Sequence, residues 1–446
     1  MTILSKLDRM WLWPRTHPTK LSCGCKRVSE ILKTKPTQFT TATGSPIQQI
    51  RKFLSEHKQL PSDFLTRVKD THYEFLPASF RPNHFNDCLH EISKPTSPGE
   101  YFLKKGYKTK AEVISKIPNQ LRYYCHLIKT GKLKHPRPVT KVVSVGSKLD
   151  TSTLPPKTKT RVAWVFPIQV TAIENMWFSS LKEHLPEDYV PSPELYHQRL
   201  CGKNSLGYDF SSFDASVPRA LVEYGLAEIE KRIDNTRYLA GNKPYSRTSL
   251  DTLWNFVKWY ILNTPFRFGD RIIQKVHGVP SGSMFTNVLN SIISKAIMTY
   301  LHSKQNCQPI IKTYGDDCHV AECLCNRQAI ETTALKEIGV VLKTDEPNEH
   351  GCLTYCKSEC HLGEPYHSGS WFANILNTCP RKFRKSVAYS LTFYKPTSMQ
   401  MKQLLKLASN HKSEKLHPRT QLWIAKILTH GQPERLPTCR ATCSRL

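Results

Sequence analysis

Apolar residues recur at a helical period in the middle of this 446-residue chain. In PRALVEYGLAEIEKRID, which starts at Pro218, the apolar residues Val222, Leu226, Ile229 and Ile233 are spaced four, three and four positions apart. This spacing places them on one face of a helix, and proline is well suited to the first turn of such a helix. A second apolar stripe runs through TNVLNSIISKAIMTYL. The pattern therefore predicts two amphipathic helices.

Shorter apolar runs predict β-strands, and some of them end in acidic residues. LGYDF reads as a strand that ends near Asp209, and PIIKT and CHVA flank the sequence YGDD, residues 314–317, as the strands of a hairpin. Glycine and aspartate are common turn formers, which suits YGDD. Other segments predict a basic loop and strand (PPKTKTRVAWVFPIQV), a helix and strand (ALKEIGVVLKT), a strand pair (CLTYCKSECHL) and a C-terminal helix (MKQLLKLA).

The chain carries a large excess of basic residues. Its 64 lysines and arginines against 36 acidic residues give a net charge of +28, which favours a polyanion-binding protein over an unspecific basic one. The basic residues are spread along the chain, as a charged channel would require. The sequence has no run of 18 apolar residues and no apolar core of a secretory signal at its start, so we expect neither a membrane span nor secretion.

The 15 cysteines favour free thiols in a reducing compartment, because they are odd in number and scattered along a long chain. Two close pairs, Cys23/Cys25 and Cys323/Cys325, have C-x-C spacing, and neither has a second pair at zinc-finger spacing. In a looser group, ordinary buried thiols are favoured over structural zinc. Its members are His350, Cys352, Cys356, Cys360, His361 and His367.

Two acidic strand ends are candidates for a metal site. Asp209 and Asp316 each end a predicted strand, 107 residues apart (316 − 209). A sheet can bring such carboxylates to one point of its edge, where hard oxygen ligands suit Mg²⁺ or Mn²⁺. The alternative is a solvated hairpin turn and a helix-capping aspartate. Two-metal nucleotidyl transfer requires the first arrangement.

A second set of residues has the spacing of a nucleotide site. Asp214 follows Asp209 by five positions, and Thr286 and Asn290 are four apart, so the latter two share a helical face. A hydrogen bond between Asn290 and Asp214 would allow this pair to recognise a ribose 2′-hydroxyl. Ser281 and Gly282 lie in a Gly/Ser/Pro loop that leads into the same helix. An amide exposed to water is the alternative for Asn290.

Alternating basic residues could neutralise a triphosphate. Lys157, Lys159 and Arg161 point to one side if their segment is a strand. A solvated edge strand is the alternative, since basic residues also protect such edges. Lys343 lies 26 residues after Asp317 (343 − 317) and is either a general acid for pyrophosphate or a surface lysine.

In this order, DFSSFD, SGSMFTNVLN and YGDD resemble motifs A, B and C of viral RNA-dependent RNA polymerases. The segments KTKTR, GVVLKTDE and TYCKSE resemble motifs F, D and E of the same family. The flanking sequences are most similar to those of partitiviruses, with picobirnaviruses close. The resemblance covers about residues 155–365.

The resemblance implies an α+β fold shaped like a right hand, with fingers, palm and thumb. The palm would be an antiparallel sheet backed by helices. Residues 1–205 would be an N-terminal extension and fingers, 206–365 the palm with a fingers insertion at about 235–277, and 366–446 the thumb. Family members copy RNA templates, usually inside a capsid.

The resemblance also implies residue roles. Two Mg²⁺ ions, or Mn²⁺, would be held by Asp209 and Asp316 with help from Asp317, and Lys343 would be the acid. Lys357 would lie near the primer strand of the RNA. The implied nucleotide-binding residues are Lys157, Lys159, Arg161, Asp214, Ser281, Gly282, Thr286 and Asn290.

The sequence thus predicts an RNA-directed RNA polymerase that replicates and transcribes a viral RNA genome from ribonucleoside triphosphates. Its partners would be template and product RNA and a viral capsid protein, and its place the host cytoplasm, within the virion. A reverse transcriptase and a non-catalytic RNA-packaging protein are the alternatives. Asp214 and Asn290 disfavour the first, because a DNA-making enzyme blocks the 2′-hydroxyl, and the ordered carboxylates disfavour the second.

Overall fold

The computed structural model describes most of the chain between residues 47 and 409. The described residues are 47–55, 59–92, 95–133, 138–145, 149–150, 157–158, 161–186, 189, 205–268, 270–345, 353–356, 358–361, 364–367, 369–378, 384–392 and 396–409. Within them the helices are α1 (Ile47–Arg51), α2 (Phe64–Val68), α3 (Phe85–Cys88), α4 (Glu100–Lys104), α5 (Lys110–Lys116), α6 (Pro118–Lys129), α7 (Ile168–His184), α8 (Phe213–Ser216), α9 (Arg219–Glu230), α10 (Ser249–Asn263), α11 (Thr286–Ser303), α12 (Arg327–Thr333), α13 (Gly369–Thr378), α14 (Arg384–Leu391) and α15 (Ser398–Ser409).

The strands are short and pair only in antiparallel fashion within the described ranges. They are β1 (Lys141–Val145), β2 (Leu149–Asp150), β3 (Lys157–Thr158), β4 (Arg161–Val165), β5 (Leu206–Phe210), β6 (Pro265–Phe268), β7 (Arg271–Gln274), β8 (Ile310–Tyr314), β9 (Asp317–Ala321), β10 (Leu342–Asp345), β11 (Thr354–Tyr355), β12 (Ser358–His361) and β13 (Glu364–Tyr366). Four of them form the central sheet, in the order β10-β5-β9-β8. The others form β1-β4, β2-β3, β6-β7 and β11-β12-β13.

Helix α11 is the core element that supports the central sheet. Its apolar stripe is fully buried, and small polar residues on its other sides are buried as well. It packs against β8 and against α9, whose Val222, Leu226 and Ile229 are also buried. A helix buried on nearly all sides contributes stability through every face, which makes α11 the centre of the main hydrophobic core.

A helical layer and a pair of small sheets lie next to this core. Helix α7 packs against α6 and α10, and the rings of Trp177 and Trp254 meet at a centroid distance of 5.4 Å between α7 and α10. The β6-β7 hairpin is linked to the β1-β4 pair by a bridge between Thr140 and Phe266. The hydroxyl groups of Thr140 and Tyr260 share a hydrogen bond of 2.9 Å there.

The C-terminal helices have a small apolar cluster of their own. Helices α13, α14 and α15 bury apolar side chains between them, and this cluster is separate from the main core. The buried members are Phe372, Ala373, Leu376, Val387, Ala388, Leu391, Leu404, Leu407 and Ala408. Strand β11 of the preceding three-stranded sheet contacts β9 of the central sheet.

Most predicted elements are present, with three differences. The helix predicted in ALKEIGVVLKT is a π-helix, Ala334–Ile338, that directly follows α12. The helix predicted from Pro218 begins at Arg219 and ends at Glu230, so Ile233 lies beyond it and forms a bridge with Phe80. The strand predicted in RVAWVFPIQV ends at Val165, and α7 begins three residues later. Pro167 lies just before that helix and has the fixed φ that suits a helix start.

None of the helices in the described ranges combines the length and the apolar character that crossing a membrane requires.

Truncation of one core side chain should destabilise the chain strongly. Ile293 on α11 is completely buried, so Ile293→Ala removes apolar contacts and leaves a cavity. We expect the free energy of unfolding to fall by about 2–5 kcal/mol. Ile272→Ala is the matched control, because Ile272 is 54% exposed, and it should change stability by less than about 1 kcal/mol. Urea unfolding followed by circular dichroism measures both, and equal effects would contradict the assigned core.

Candidate active site

Three aspartates meet at one end of the central sheet, where β5 ends and β9 begins. The register between β5 and β9 pairs Tyr208 with Cys318, so the next position along each strand brings Asp209 beside Asp317. Asp316 lies in the turn directly before Asp317. The side chains of Asp209 and Asp316 are exposed and that of Asp317 is half-buried, as a site open to a bound cation requires. The strand pairing therefore produces the convergence predicted for two acidic strand ends.

The charges of these aspartates act on a single buried thiol. Burial raises the pKa of Cys318, and the charges of Asp317, Asp316 and Asp209 raise it further. All three carboxylates are thus within electrostatic reach of one point. Like charges held this close repel unless a cation lies between them, and their oxygens are the ligands that Mg²⁺ and Mn²⁺ prefer. The donor set fits a divalent metal site.

A fourth carboxylate, that of Asp345, lies on β10 two positions beyond Lys343, the residue that pairs with Asp209. Asp345 on β10 is paired with Gly207, and a Cβ atom at Gly207 would lie 3.1 Å from Asp345 Oδ2, so a larger residue there would require the Asp345 side chain to shift. Burial raises the pKa of Asp345, and the charge of Asp209 adds to this increase. Sequence analysis did not single out Asp345, although it follows Lys343 by two positions and therefore shares its side of the strand.

The turn that carries Asp316 is fastened to α11 by buried hydrogen bonds. Gly315 has a φ of 65°, which glycine adopts without strain. Its N–H donates to Ser291 Oγ at 2.8 Å, and its carbonyl accepts from Ser294 Oγ at 2.8 Å. Thr313 Oγ1 donates to the Ser291 carbonyl at 2.9 Å. Sequence analysis did not identify these two serines as functional, although two serines three positions apart inside an apolar stripe could have indicated them.

The predicted contact between Asn290 and Asp214 is confirmed. Asn290 Nδ2 donates to Asp214 Oδ1 at 2.7 Å. The carbonyl of Asp214 also accepts the N–H of Val279 at 2.7 Å, which ties the α8 segment to the loop before α11. Asn290 Oδ1 is buried and has no hydrogen-bond partner among the described residues. A buried acceptor without a partner is costly, so this oxygen requires a partner that the described residues do not supply.

The loop between residues 278 and 285 is held by close contacts. A Cβ atom at Gly282 would lie 2.1 Å from the Trp164 carbonyl oxygen, so only glycine fits between the loop and β4. Thr286 Oγ1 donates to the carbonyls of Pro280 at 2.9 Å and Ser283 at 2.8 Å, and it therefore braces the loop from within. Ser281 is exposed at the loop surface.

A buried glutamate that sequence analysis missed also holds this loop. Glu174 on α7 accepts from Ser283 Oγ at 2.8 Å and from the Met284 N–H at 3.1 Å. Burial raises the pKa of Glu174 to about 7, although both hydrogen bonds act in the opposite direction. The sequence feature that could have identified Glu174 is its place as a single acidic residue inside the apolar run IQVTAIENMWF. An isolated buried carboxyl group requires specific partners.

The structure describes only some of the basic residues that the sequence predicted for phosphate and RNA binding. Lys343 on β10 is exposed and pairs directly with Asp209 on β5, so their side chains share one face of the sheet. Lys157 lies on β3 and Arg161 on β4, and their side chains are not described. Arg161 precedes Trp164 by three residues, about 10 Å along the strand. Lys159 and Lys357 lie outside the described residues.

The Cys/His group at residues 350–367 is also described in part. Cys356 is half-buried, and burial raises its pKa, with a further contribution from the charge of Asp317. His367 is buried and stacks on Trp371 at a centroid distance of 3.9 Å. The side chains of the other members are not described, so ordinary buried thiols in this group remain a prediction.

Comparison with known sequences connects this geometry to one family. The sequence model of viral RNA-dependent RNA polymerases matches residues 81–337. The RNA-directed RNA polymerase of Cryptosporidium parvum virus 1 (strain KSU-1) is 29% identical over 209 residues, which cover 42% of this chain and 38% of that protein. The genome polyprotein of Human klassevirus 1 is 26% identical over 176 residues, or 36% of this chain and 7% of the polyprotein. The match thus spans well under half of each relative.

A solved structure shares the fold. The RNA-dependent RNA polymerase of a human picobirnavirus, crystallised as an insertion loop deletion mutant, superposes with a TM-score of 0.60 at 14% sequence identity. The superposition covers 96% of this chain and 87% of that one. This likeness confirms the predicted α+β right-hand fold with antiparallel sheets.

The serine contacts of the turn can be tested by hydrogen exchange. Ser291→Ala leaves the buried N–H of Gly315 without its acceptor, which costs about 1–3 kcal/mol. We expect amide exchange in the peptide spanning residues 310–321 to accelerate by roughly 5- to 150-fold. Ser303→Ala, at the far end of α11, is the control and should leave that peptide unchanged. Equal protection in both variants would show that Ser291 does not hold the turn.

The buried carboxyl of Glu174 should make stability depend on pH. Its folded-state pKa of about 7 lies above the usual 4.5. The protonated Glu174 side chain therefore contributes its full stabilisation to the folded state below pH about 4.5, and this contribution is lost as the pH rises through about 7. Glu174→Gln cannot ionise, so the stability of the wild type relative to this variant should fall by up to about 3 kcal/mol across that range.

Urea midpoints between pH 4.5 and 8 measure this difference. Glu183→Gln, at an exposed position of the same helix, controls for the chemical change itself. Parallel pH curves for wild type and Glu174→Gln would refute the raised pKa.

Proposed function

The chain belongs to the viral RNA-dependent RNA polymerase family, and from this membership we propose that it copies RNA templates by joining ribonucleotides to an RNA 3′ end. Members of this family use divalent metal ions. The observation that carries the proposal is the convergence of Asp209, Asp316 and Asp317 at one edge of the central sheet. Two of them, Asp209 and Asp316, are exposed, so a triphosphate can reach them.

The three aspartates are proposed as ligands of two Mg²⁺ ions, which Mn²⁺ can replace. Bound ions would lower the pKa of the attacking 3′-hydroxyl and stabilise the leaving pyrophosphate. Asp209 approaches from strand β5 and Asp316 from the turn between β8 and β9, and Asp317 assists from the start of β9. The proposed fit rests on the oxygen donors of the three aspartates and on their negative charges, which bound cations would balance.

Asp214 and Asn290 are proposed to select ribose over deoxyribose. Their hydrogen bond fixes the Asn290 amide, and its buried Oδ1 can accept the 2′-hydroxyl of an incoming ribonucleotide. A deoxynucleotide would leave that oxygen without a partner. A site built to bind a hydroxyl rejects substrates that lack it strongly, which favours RNA synthesis over reverse transcription.

The loop before α11 is proposed to follow template and nucleotide. Ser281 presents an exposed hydroxyl at its surface, and Gly282 lets the loop approach β4 closely. Glu174 and Thr286 hold the loop from behind, so Thr286 acts on the nucleotide through the loop.

Basic residues are proposed to bind the phosphates and the RNA. Lys343 faces the same side of the sheet as Asp209, from which it can protonate the departing pyrophosphate. Lys159 and Arg161, with Lys157 close by, would hold the triphosphate, and Lys357 would lie near the primer strand. The net charge of +28 supports a template channel.

The proposal also covers the division of the chain into domains, its binding partners and its location. Residues 1–205 would form the N-terminal extension and fingers, 206–365 the palm with a fingers insertion at about 235–277, and 366–446 the thumb. The separate apolar cluster of α13–α15 supports an independent thumb unit. Template and product RNA, ribonucleoside triphosphates and a viral capsid protein would be the partners, in the host cytoplasm and within the virion.

Loss of one metal ligand should abolish synthesis without abolishing RNA binding. Asp316→Ala removes a carboxylate from the metal site, so incorporation of labelled ribonucleotides on a single-stranded RNA template with Mg²⁺ should fall to background. RNA affinity, measured by filter binding, should stay nearly unchanged and should fall steeply with added salt. Asp70→Ala, which removes an exposed aspartate of the N-terminal segment, is the matched control.

Deoxynucleotides in a parallel reaction distinguish the competing functions. Incorporation of deoxynucleotides by the wild type at the rate of ribonucleotides would favour a reverse transcriptase. No incorporation of either by wild type, in Mg²⁺ or in Mn²⁺, would contradict the proposed enzyme. An RNA affinity that does not respond to salt would contradict the basic channel.

A further inference from the structure

A second cluster of metal-binding side chains lies at the opposite end of β9 from the aspartates. His302 is near the end of α11, Cys307 lies in the loop after it, and Cys323 and Cys325 follow β9. One ligand atom from each of the four lies within 4.8 Å of the others. Four residue steps of β9, about 13 Å, already separate Asp317 from the end of that strand, so the two groups are distinct.

The distances from His302 Nδ1 to two of the sulfurs are close to those of a tetrahedral metal site. His302 Nδ1 is 3.3 Å from Cys325 Sγ and 3.4 Å from Cys323 Sγ. Zinc bonds of about 2.0–2.1 Å to nitrogen and about 2.3 Å to sulfur, at tetrahedral angles, place N and S about 3.6 Å apart and two sulfurs about 3.8 Å apart. We propose that His302, Cys307, Cys323 and Cys325 bind one zinc ion that fastens the end of α11 to the end of β9.

Metal-free thiols explain this arrangement less well. A neutral imidazole nitrogen that accepts hydrogen bonds has one lone pair, yet two sulfurs converge on Nδ1 of His302. His302 Nε2 and the hydroxyl of Tyr208, whose rings meet edge to face at 6.2 Å, are buried without partners among the described residues. Metal binding through Nδ1 would fix Nε2 as the protonated nitrogen of the ring.

The local backbone presents both cysteines of the C-x-C pair to the same point. Leu324 between them is 85% exposed, so its neighbours on either side face inward. The Cys325 N–H donates to Cys323 Sγ at 3.4 Å, which helps to fix the position of that sulfur. The two loops are also fastened to each other, because Asn326 N–H donates to Gln305 Oε1 at 3.0 Å and Gln305 Nε2 donates to the Asn326 carbonyl at 3.4 Å.

The donor set selects zinc and separates this site from the carboxylate edge. Three soft thiolates and one imidazole bind Zn²⁺ and disfavour Mg²⁺, which prefers oxygen. The four protein ligands complete a tetrahedral shell, so the site is structural and leaves no open position for substrate. The site would join two elements of the candidate active site, because α11 carries Ser291 and Asn290 and β9 begins with Asp317.

The test measures zinc in the full-length chain after dialysis against excess Mg²⁺. We expect about one zinc per chain by inductively coupled plasma mass spectrometry, and loss of that zinc in Cys323→Ser and in Cys325→Ser. Cys125→Ser removes an equally buried thiol from α6 and should keep its zinc. Removal of zinc with phenanthroline, with Mg²⁺ present, should lower the melting temperature by at least about 4 °C.

Spectroscopy of the wild type keeps the proposal open to refutation even if the serine variants fail to fold. Co²⁺ added to the zinc-depleted chain should give the visible bands of tetrahedral cobalt and a thiolate charge-transfer band. X-ray absorption at the zinc edge should show about three sulfurs and one nitrogen. Less than about a tenth of a zinc per chain with no cobalt bands, a shell of oxygen and nitrogen only, or a disulfide among Cys307, Cys323 and Cys325 in the purified chain would each overturn it.

Discussion

Electrostatic repulsion among the clustered aspartates is the constraint that the surrounding structure must resist. Like charges brought close together near a protein surface repel each other. A flexible turn would relieve this repulsion by moving Asp316 away from Asp209. The hydrogen bonds from Ser291 and Ser294 to both polar atoms of Gly315 oppose that movement, because breaking them leaves buried groups without partners. The carboxylates are therefore held ready before any cation arrives.

Helix α11 organises the site because several unrelated contacts begin on it. Its first residue, Thr286, braces the loop, Asn290 fixes Asp214, and Ser291 holds the acidic turn. Each of these side chains is placed by the helical repeat, and the helix itself is fixed by its buried apolar stripe. The precision of the polar contacts therefore depends on apolar packing, and the proposed zinc ion would anchor the other end of the same helix.

Periodicity and turn chemistry predicted much of this fold, and motif order predicted the site. The stripe on α11, the YGDD hairpin and the contact between Asn290 and Asp214 were all foreseeable, since each depends on local spacing or on a family pattern. Glu174 was not, because its role depends on a loop more than a hundred residues later in sequence. The pairing of Asp345 with Gly207 likewise depends on strand register, which single-strand patterns do not fix.

The metal-binding side chains around Cys323 were missed for a related reason. Zinc-finger spacing requires two close pairs of ligands in sequence. His302 and Cys307 are not such a pair, because they come from the end of α11 and from the loop after it. Tertiary structure assembles such a set from short pieces whose separations carry no common signature. Only the C-x-C pair itself was visible in the sequence.

The contact between Gly282 and the Trp164 carbonyl joins the loop before α11 to strand β4. With no room for even a methyl group between them, the loop cannot advance toward β4 without displacing that strand. The strand also carries Arg161, so a loop displacement would be transmitted to a residue proposed to hold the triphosphate.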